Sequence, residues 1–406
     1  MKSCRTSPRL VAASAALLAV APAFAQSSVT LYGVVDNGIA YQSSQTTLGS
    51  TAGGHSSVKM VTGVWAGSRF GVRGTEDLGG GTKAVFVLES GINSATGGQQ
   101  YTDAMFGRQA WVGFTHPAYG SLTFGRQYAS YYQLLSPYSP TNWLTGFFGA
   151  HPGDIDGLDT LYRANNTIEY TSPKLYGFTF GGSYSLGGVA GSLNAGSTWT
   201  AAIQYANGPI GMAVGFSRIN NSTSGGGAFG ANSTTSNNGA QDGVSALTNG
   251  YQTAQAQQRV AIGASYAINN AWDVSATYSN VQYIPGAGSK FANTAIFNTG
   301  GVVLHWKPAT VWDLGAGYSF TRATKANGIT NAAQYQQFNL SQYYALSKRT
   351  GLYALEAYQR SNGSTLGTAG SGNIIDATAT LGDGFNSAPS STRSQFAAGV
   401  GIVHRF

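Results

Sequence analysis

The side chains able to do chemistry are few, and they are poorly arranged for catalysis. The five histidines, His55, His116, His151, His305 and His404, are scattered, and none falls at a metal-ligand spacing. There is no G-x-S-x-G elbow, H-E-x-x-H pair, phosphate-binding loop or G-x-G-x-x-G turn. The run Gly79-Gly80-Gly81-Thr82-Lys83 lacks the spacing of a phosphate cradle and reads as a tight turn. Asp154, Asp156 and Asp159 form a D-x-D-x-x-D cluster of hard oxygen ligands, but the other positions of a calcium loop and its bidentate glutamate are missing. Neither metal nor cofactor is expected, and the three carboxylates are read as a solvated loop or as partners for arginines. What remains is placed charge. Arg69 and Arg73 lie four apart with Phe70 and Val72 between them, and Arg163 shares parity with Asn165, Thr167 and Glu169, opposite Ile168 and Tyr170. Glu89 and Lys83 fall on the segment that follows. Like charges gathered around confined water raise the local concentration of counter-ions, which is electrostatic work rather than bond-making.

The elements that must position these charges are strands. Successive side chains on a strand point to opposite faces, so a strand shows itself as period-two alternation. Trp312, Leu314, Ala316, Tyr318 and Phe320 alternate with Asp313, Gly315, Gly317, Ser319 and Thr321. Ile210, Met212, Val214 and Phe216 oppose Gly211, Ala213, Gly215 and Ser217, and Val260, Ile262, Ala264 and Tyr266 oppose Arg259, Ala261, Gly263 and Ser265. Further segments begin near Val29, Ala66, Thr82, Phe106, Ser121, Asn165, Phe178, Ser197, Trp272, Thr294, Gln334 and Gly351, and a last one runs from Ser394 to Phe406, sixteen in all. The segments at Phe106 and Gln334 alternate least clearly. Tight turns such as Glu76 to Gly81 and Lys307 to Thr310 alternate with long stretches rich in Ser, Gly, Asn and Thr: Gln42 to Thr62, Ala129 to Tyr162, Ile219 to Ala256 and Ser361 to Arg393.

Composition fits that pattern. Only 9% of the 406 residues are charged, against about 25% in a soluble domain, while 57 are glycine and 12% aromatic. No run of about 20 apolar residues follows the N-terminus, so a helical membrane protein is excluded. Strands of about ten residues with one apolar face, joined by short turns at one end and long loops at the other, describe a 16-stranded antiparallel transmembrane β-barrel of an outer membrane, an all-β fold. A barrel this wide cannot be filled by side chains and keeps an aqueous channel. In it an arginine facing lipid at mid-depth costs about 2 to 4 kcal/mol, so Arg69, Arg73 and Arg163 are expected to face the lumen. Alternation does not decide the direction of Arg108, and Arg126 shares parity with Leu122 and Phe124, which puts it at a subunit interface or the strand end. Residues 1–25 read as an export leader: Lys2, Arg5 and Arg9, then the apolar stretch Leu10 to Val20, then Ala23-Phe24-Ala25. Residues 26–406 form the barrel. Three of the 22 Lys and Arg residues lie in the leader, which leaves 19 against 15 Asp and Glu. The sole cysteine, Cys4, goes with it. So small a positive charge in this compartment gives no nucleic-acid partner.

Several segments resemble the trimeric general porins of Gram-negative outer membranes, of the betaproteobacterial type. They are SSVTLYGVVDNGIAY (Ser27 to Tyr41), SRFGVRGTEDLGGGTKAVFVLESG (Ser68 to Gly91), FGRQAWVGF (Phe106 to Phe114), LTFGRQY (Leu122 to Tyr128), RANNTIEYTSP (Arg163 to Pro173), YALSKRTGLYA (Tyr344 to Ala354) and GIVHRF (Gly401 to Phe406). The resemblance implies a homotrimer among outer-membrane lipid and lipopolysaccharide, without enzymatic activity, passing small anions and hydrophilic solutes by passive diffusion. It implies a pore-constricting third loop, here Ala129 to Tyr162, whose segment NWLTGFFGAHPGDIDGLD (Asn142 to Asp159) departs from the family in being aromatic and acidic. It also implies inward arginines at Arg69, Arg108 and Arg163, tuned by Arg73 and Glu89, and hence a moderate anion preference that the loop aspartates oppose. Two alternatives stand beside this reading. One is a substrate-specific channel whose aromatic third loop binds one solute, and the other is a surface adhesin on a plugged barrel.

Overall fold

The computed structural model describes residues 27–101, 104–159, 163–227, 245–367, 372–383 and 388–406. The expected leader, the last three residues of the third loop and part of two other long loops lie outside them. Sixteen staves form one closed antiparallel barrel: Ser28–Gln45, Arg69–Gly79, Thr82–Asn93, Gln109–His116, Gly120–Gln127, Ala164–Thr171, Phe178–Ser185, Thr198–Asn207, Ile210–Asn220, Ala256–Ala267, Trp272–Ile284, Ala295–Trp306, Trp312–Ala323, Gln334–Ala345, Thr350–Asn362 and Ser394–Arg405. The two segments of weakest alternation are thus strands. Each stave pairs with its sequence neighbour, and the last closes on the first from Val34↔Arg405 to Gln42↔Ala397. Gly33 and Phe406 exchange both backbone hydrogen bonds at 3.1 Å. Closure leaves no stave with a free ladder edge in lipid, where each unpaired group costs several kcal/mol.

Alternation sorts the two faces. Ile210, Met212 and Val214 are exposed on the outer wall, while Gly211, Ala213 and Gly215 are buried within. At the tight-turn end the outer wall carries paired rings, Trp272 on Trp306 at 5.2 Å and Trp312 on Tyr344 at 4.8 Å, as an interfacial aromatic belt requires.

One expected loop is shorter than its composition suggests. Within Gln42 to Thr62 the chain forms the strand His55–Thr62, which pairs back along the long first stave from Asn37↔Thr62 to Gln45↔His55. Val58 and Met60 point out and Val61 is buried, an alternation too short to stand out beside its serine-rich flank. Residues 63–68 then leave the wall for the lumen, where Trp65 stacks on Tyr343 at 4.7 Å, before the second stave starts at Arg69.

The closing seam yields a test. A Cβ on Gly33 would meet the Phe406 ring and, at 2.8 Å, the carbonyl oxygen of Arg69. Gly33→Val should therefore cost about 1 to 3 kcal/mol through overpacking, seen as a lower melting temperature of the folded band on unheated gels. An unchanged melting temperature would mean that the seam has room for a side chain at Gly33.

Candidate functional site

Two constructions meet inside the barrel: a loop that crosses the lumen and a knot of arginines where that loop leaves the wall. The loop begins with a short helix, Ser130–Leu135, whose Tyr131, Leu134 and Leu135 are buried against Ala202, Ala213 and Ala261. The wall makes room for it with glycine. A Cβ at Gly211, Gly215 or Gly317 would run into Tyr138, Leu135 and Leu144 of the loop.

Farther along, the loop is bolted to the opposite wall. Ser341 donates to the Trp143 carbonyl at 2.8 Å, Gln337 donates to the Ala150 carbonyl at 2.7 Å, and the Trp143 ring stacks on His305 at 3.8 Å. His305 is itself held between Asp273 and Asp313. Sequence alone gave no sign of this carboxylate–histidine–carboxylate mount, because its three members come from separate strands.

The three loop aspartates are all buried, so they do not line open water. Asp156 accepts from His151 Nδ1 at 2.6 Å and from Ser279 Oγ at 2.7 Å, and Asp154 accepts from the backbone N–H of Asp159 at 3.0 Å. Burial alone would raise the Asp156 pKa, but His151, Ser279 and the nearby Arg259 together hold it below the ordinary carboxylate range. Arg259 is buried against Gly157, where a Cβ would strike its guanidinium. The sequence reading gives it no role, although its parity with Ala261 and Gly263 marks an inward side chain.

The arginines gather across the lumen's near side. Glu89 is buried at the centre and accepts from Arg108 Nε at 2.8 Å and from the Tyr32 hydroxyl at 2.9 Å, with Arg69 Nε at 3.5 Å. Arg108, whose direction alternation left open, thus turns inward. It also donates to Tyr128 Oη at 3.0 Å and Gln100 Oε1 at 3.3 Å. Arg163 donates to the same Tyr128 hydroxyl at 2.6 Å and to that of Tyr101 at 2.5 Å, and its guanidinium lies 4.6 Å from the Tyr128 ring centre. Arg126, next to last in its strand, donates to the Gly107 carbonyl at 2.7 Å and to Asn165 Oδ1 at 2.5 Å. Exposure divides the cluster: the Arg69 side chain is 26% exposed, that of Arg108 only 4%, and Arg163 is fully buried. Arg73, two repeats of the pleat beyond Arg69, is exposed, 5.4 Å from the Tyr32 ring centre. Lys83 is exposed near the tight-turn end, opposite Asp77 and away from the cluster.

A second inward carboxylate was not foreseen. Asp36 is buried on the first stave and accepts from Tyr353 Oη at 2.6 Å and from the Trp65 and Ala66 backbone N–H groups at 2.6 and 2.7 Å, which pins residues 63–68 inside. The one available signal is an aspartate in the otherwise apolar and small run Gly33 to Ala40. Among the described residues, no three His, Cys, Asp or Glu side chains converge to hold a metal ion.

Residues 12–365 match the family described as Gram-negative porin. An outer membrane porin protein of Bordetella pertussis is 32% identical, the match covering 86% of this chain and 93% of the relative. Outer membrane porin protein 32 of Delftia acidovorans is 34% identical, over 51% of this chain and 58% of its own length. Among solved structures, an anion-selective porin from Comamonas acidovorans superposes with a TM-score of 0.67 at 24% identity, covering 94% of this chain and all of its own.

The loop anchor is testable. Because the Asp156 pKa is depressed in the folded loop, its contribution is complete at neutral pH and fades only as pH falls below the ordinary carboxylate range and through that lowered value. Single-channel currents should stay quiet from about pH 7 to 5 and flicker below about pH 4, and Asp156→Ala should flicker already at pH 7. Quiet currents from Asp156→Ala would remove the anchoring role.

Proposed function

We propose that this chain, which belongs to the Gram-negative porin family, assembles as a homotrimer whose channels pass ions and small hydrophilic solutes by passive diffusion with a moderate preference for anions. Its place is the outer membrane and its work is that of a channel, as for its relatives. We assign it no catalytic cycle, and we assign residues 1–25 to a leader removed on export.

One observation carries the anion preference. Arg69 and Arg108 both contact one carboxylate, Glu89, and Arg163 joins Arg108 at the shared Tyr128 hydroxyl, at the level where the third loop enters the lumen. Buried charges are screened far less than exposed ones, so Arg108 and Arg163 project a positive potential through the wall even though water does not reach them. Arg69 and Arg73 meet the solute directly. Asp156 is occupied with His151 and Ser279 and Asp154 with the loop backbone, which weakens their opposition to the arginines. Four of the loop's described aromatic rings are likewise committed: Tyr131, Tyr138 and Phe148 are buried, and Trp143 lies on His305. This favours a general pore over one with a stacking surface for a chosen solute.

Bilayer recordings of charge variants test the assignment. Arg69→Gln with Arg73→Gln should bring the anion-to-cation permeability ratio severalfold toward unity with conductance largely kept. Glu89→Gln should move the ratio the other way. A ratio that ignores both variants would detach selectivity from this wall. A further expectation is that sugars added in excess reduce current only as they reduce bulk conductivity, whereas saturable block by one solute would favour the substrate-specific alternative.

A further inference from the structure

The last long loop does not stay outside the barrel. It opens with a two-stranded ribbon, Ser364–Leu366 against Ile374–Asp376, after which the chain turns inward. Ser361 Oγ donates to the Ala377 carbonyl at 2.7 Å, and three residues later Thr380 meets Gln359, so the loop descends along the inner side of the stave Thr350–Asn362. Ala377, Ala379 and Leu381 have no exposed surface, and the alternate residues Thr378 and Thr380 are buried as well. A segment resting on the mouth of the barrel would keep one wet face, whereas this one is dry on both and is therefore wedged inside. Its sequence suits the place: residues 377–382 read Ala-Thr-Ala-Thr-Leu-Gly, small and uncharged.

Two inward glutamines fasten the segment. Gln359 Oε1 accepts from the Thr380 N–H at 2.7 Å while Gln359 Nε2 donates to the Thr380 carbonyl at 2.9 Å, the pairing a neighbouring strand would give. Gln395 Oε1 accepts from the Leu381 N–H at 3.1 Å. The Gln359 amide has a second hydrogen, which goes to Gln337 Oε1 at 2.7 Å, and Gln337 is the side chain that holds the Ala150 carbonyl of the third loop. The fastenings of the two loops are therefore one network. Packing repeats the link, because Leu381 shares an apolar cluster with Phe148 of the third loop and Val64 of the inturned segment 63–68. The tip that carries Phe148 is a single helical turn, Gly146–Gly149, too short to be stable by itself, so its place in the lumen depends on what encloses it.

We propose that residues 377–383 clamp the tip of the third loop in its crossing position, so that the width of the open pore is set by the last loop as well as by the third. Leu381 supplies the wedge and Gln359 the shared fastener. Both are positioning residues, since each is fully buried and out of reach of a solute. The inference rests on the channel reading above but not on its ion selectivity.

Protein purified from outer membranes would be compared in planar bilayers with a variant whose residues 377–383 are replaced by alternating Gly and Ser. The readouts are single-channel current, its noise, and the exclusion of polyethylene glycols of graded size. Because current follows the open cross-section, conductance is expected to rise about twofold, with larger polymers admitted and open-channel flicker added. A folded variant with unchanged conductance and polymer limit would overturn the proposal even if its melting temperature fell, because a loop that merely packs costs stability without moving the pore. Two single variants carry the same test if the replaced chain does not fold: Gln359→Met, which keeps the bulk and removes the amide, and Leu381→Ala should each flicker where wild type is quiet. Quiet currents from both would sink the clamp alone, whereas a folded wild type that carries no current would sink the channel reading itself.

Discussion

Everything in this molecule depends on the bilayer's inability to hydrogen-bond a peptide group. An open sheet edge in hydrocarbon would leave donors and acceptors unmet at several kcal/mol apiece, so the sheet must end where it began. The seam between the first and last staves, with Gly33 and Phe406 exchanging hydrogen bonds, meets that requirement. Closure at sixteen strands then has a second consequence: the interior is too wide for side chains alone to fill. A lumen follows from backbone chemistry, before any residue is chosen for transport.

What narrows the lumen is chosen by sequence. Glycines on the inward face let the third loop approach the wall closely, and serine, glutamine and asparagine side chains on the far strands bind its carbonyl groups. The loop's acidic residues are drawn into that fastening. On the near side, Tyr128 couples the two constructions: its hydroxyl receives hydrogen bonds from both Arg108 and Arg163, and its ring stands one residue before the loop begins. The charges that shape selectivity and the segment that sets pore width are therefore mechanically linked. Glu89 is the counterweight, satisfying two buried or half-buried arginines.

The barrel was legible in the sequence because lipid enforces period two. Even the weakly alternating segment at Gln334 is a strand, its glutamines alternating between buried Gln337 and exposed Gln336. Where legibility failed, a local irregularity or a long-range contact intervened. Arg126 lies beside a bulge, where the register slips between Gly125 and Gln127, and a bulge resets the parity on which an inward or outward assignment depends. Arg108 precedes its strand altogether, so no alternation governs it. Asp154, Asp156 and Asp159 look like solvated loop acids until His151 and Ser279 are brought alongside by the fold. Asp36 depends on Tyr353, far along the chain, and the His305 mount on neighbours across two strand pairs, which alternation along a single strand does not reveal. Arg259 is the instructive exception, since its parity was already visible and only its partner in the third loop was not.

The central claim is that positive charge fixed in the wall, rather than pore size alone, sets which ions pass. It is tested most directly by the zero-current potential of the wild-type channel across a planar bilayer, under the same tenfold KCl gradient centred first near 0.1 M and then near 1 M. Because the screening length shortens from about 10 Å to about 3 Å over that range, the account predicts an anion-selective potential at low salt that shrinks at high salt. A cation-selective potential, or an anion preference indifferent to salt, would contradict it.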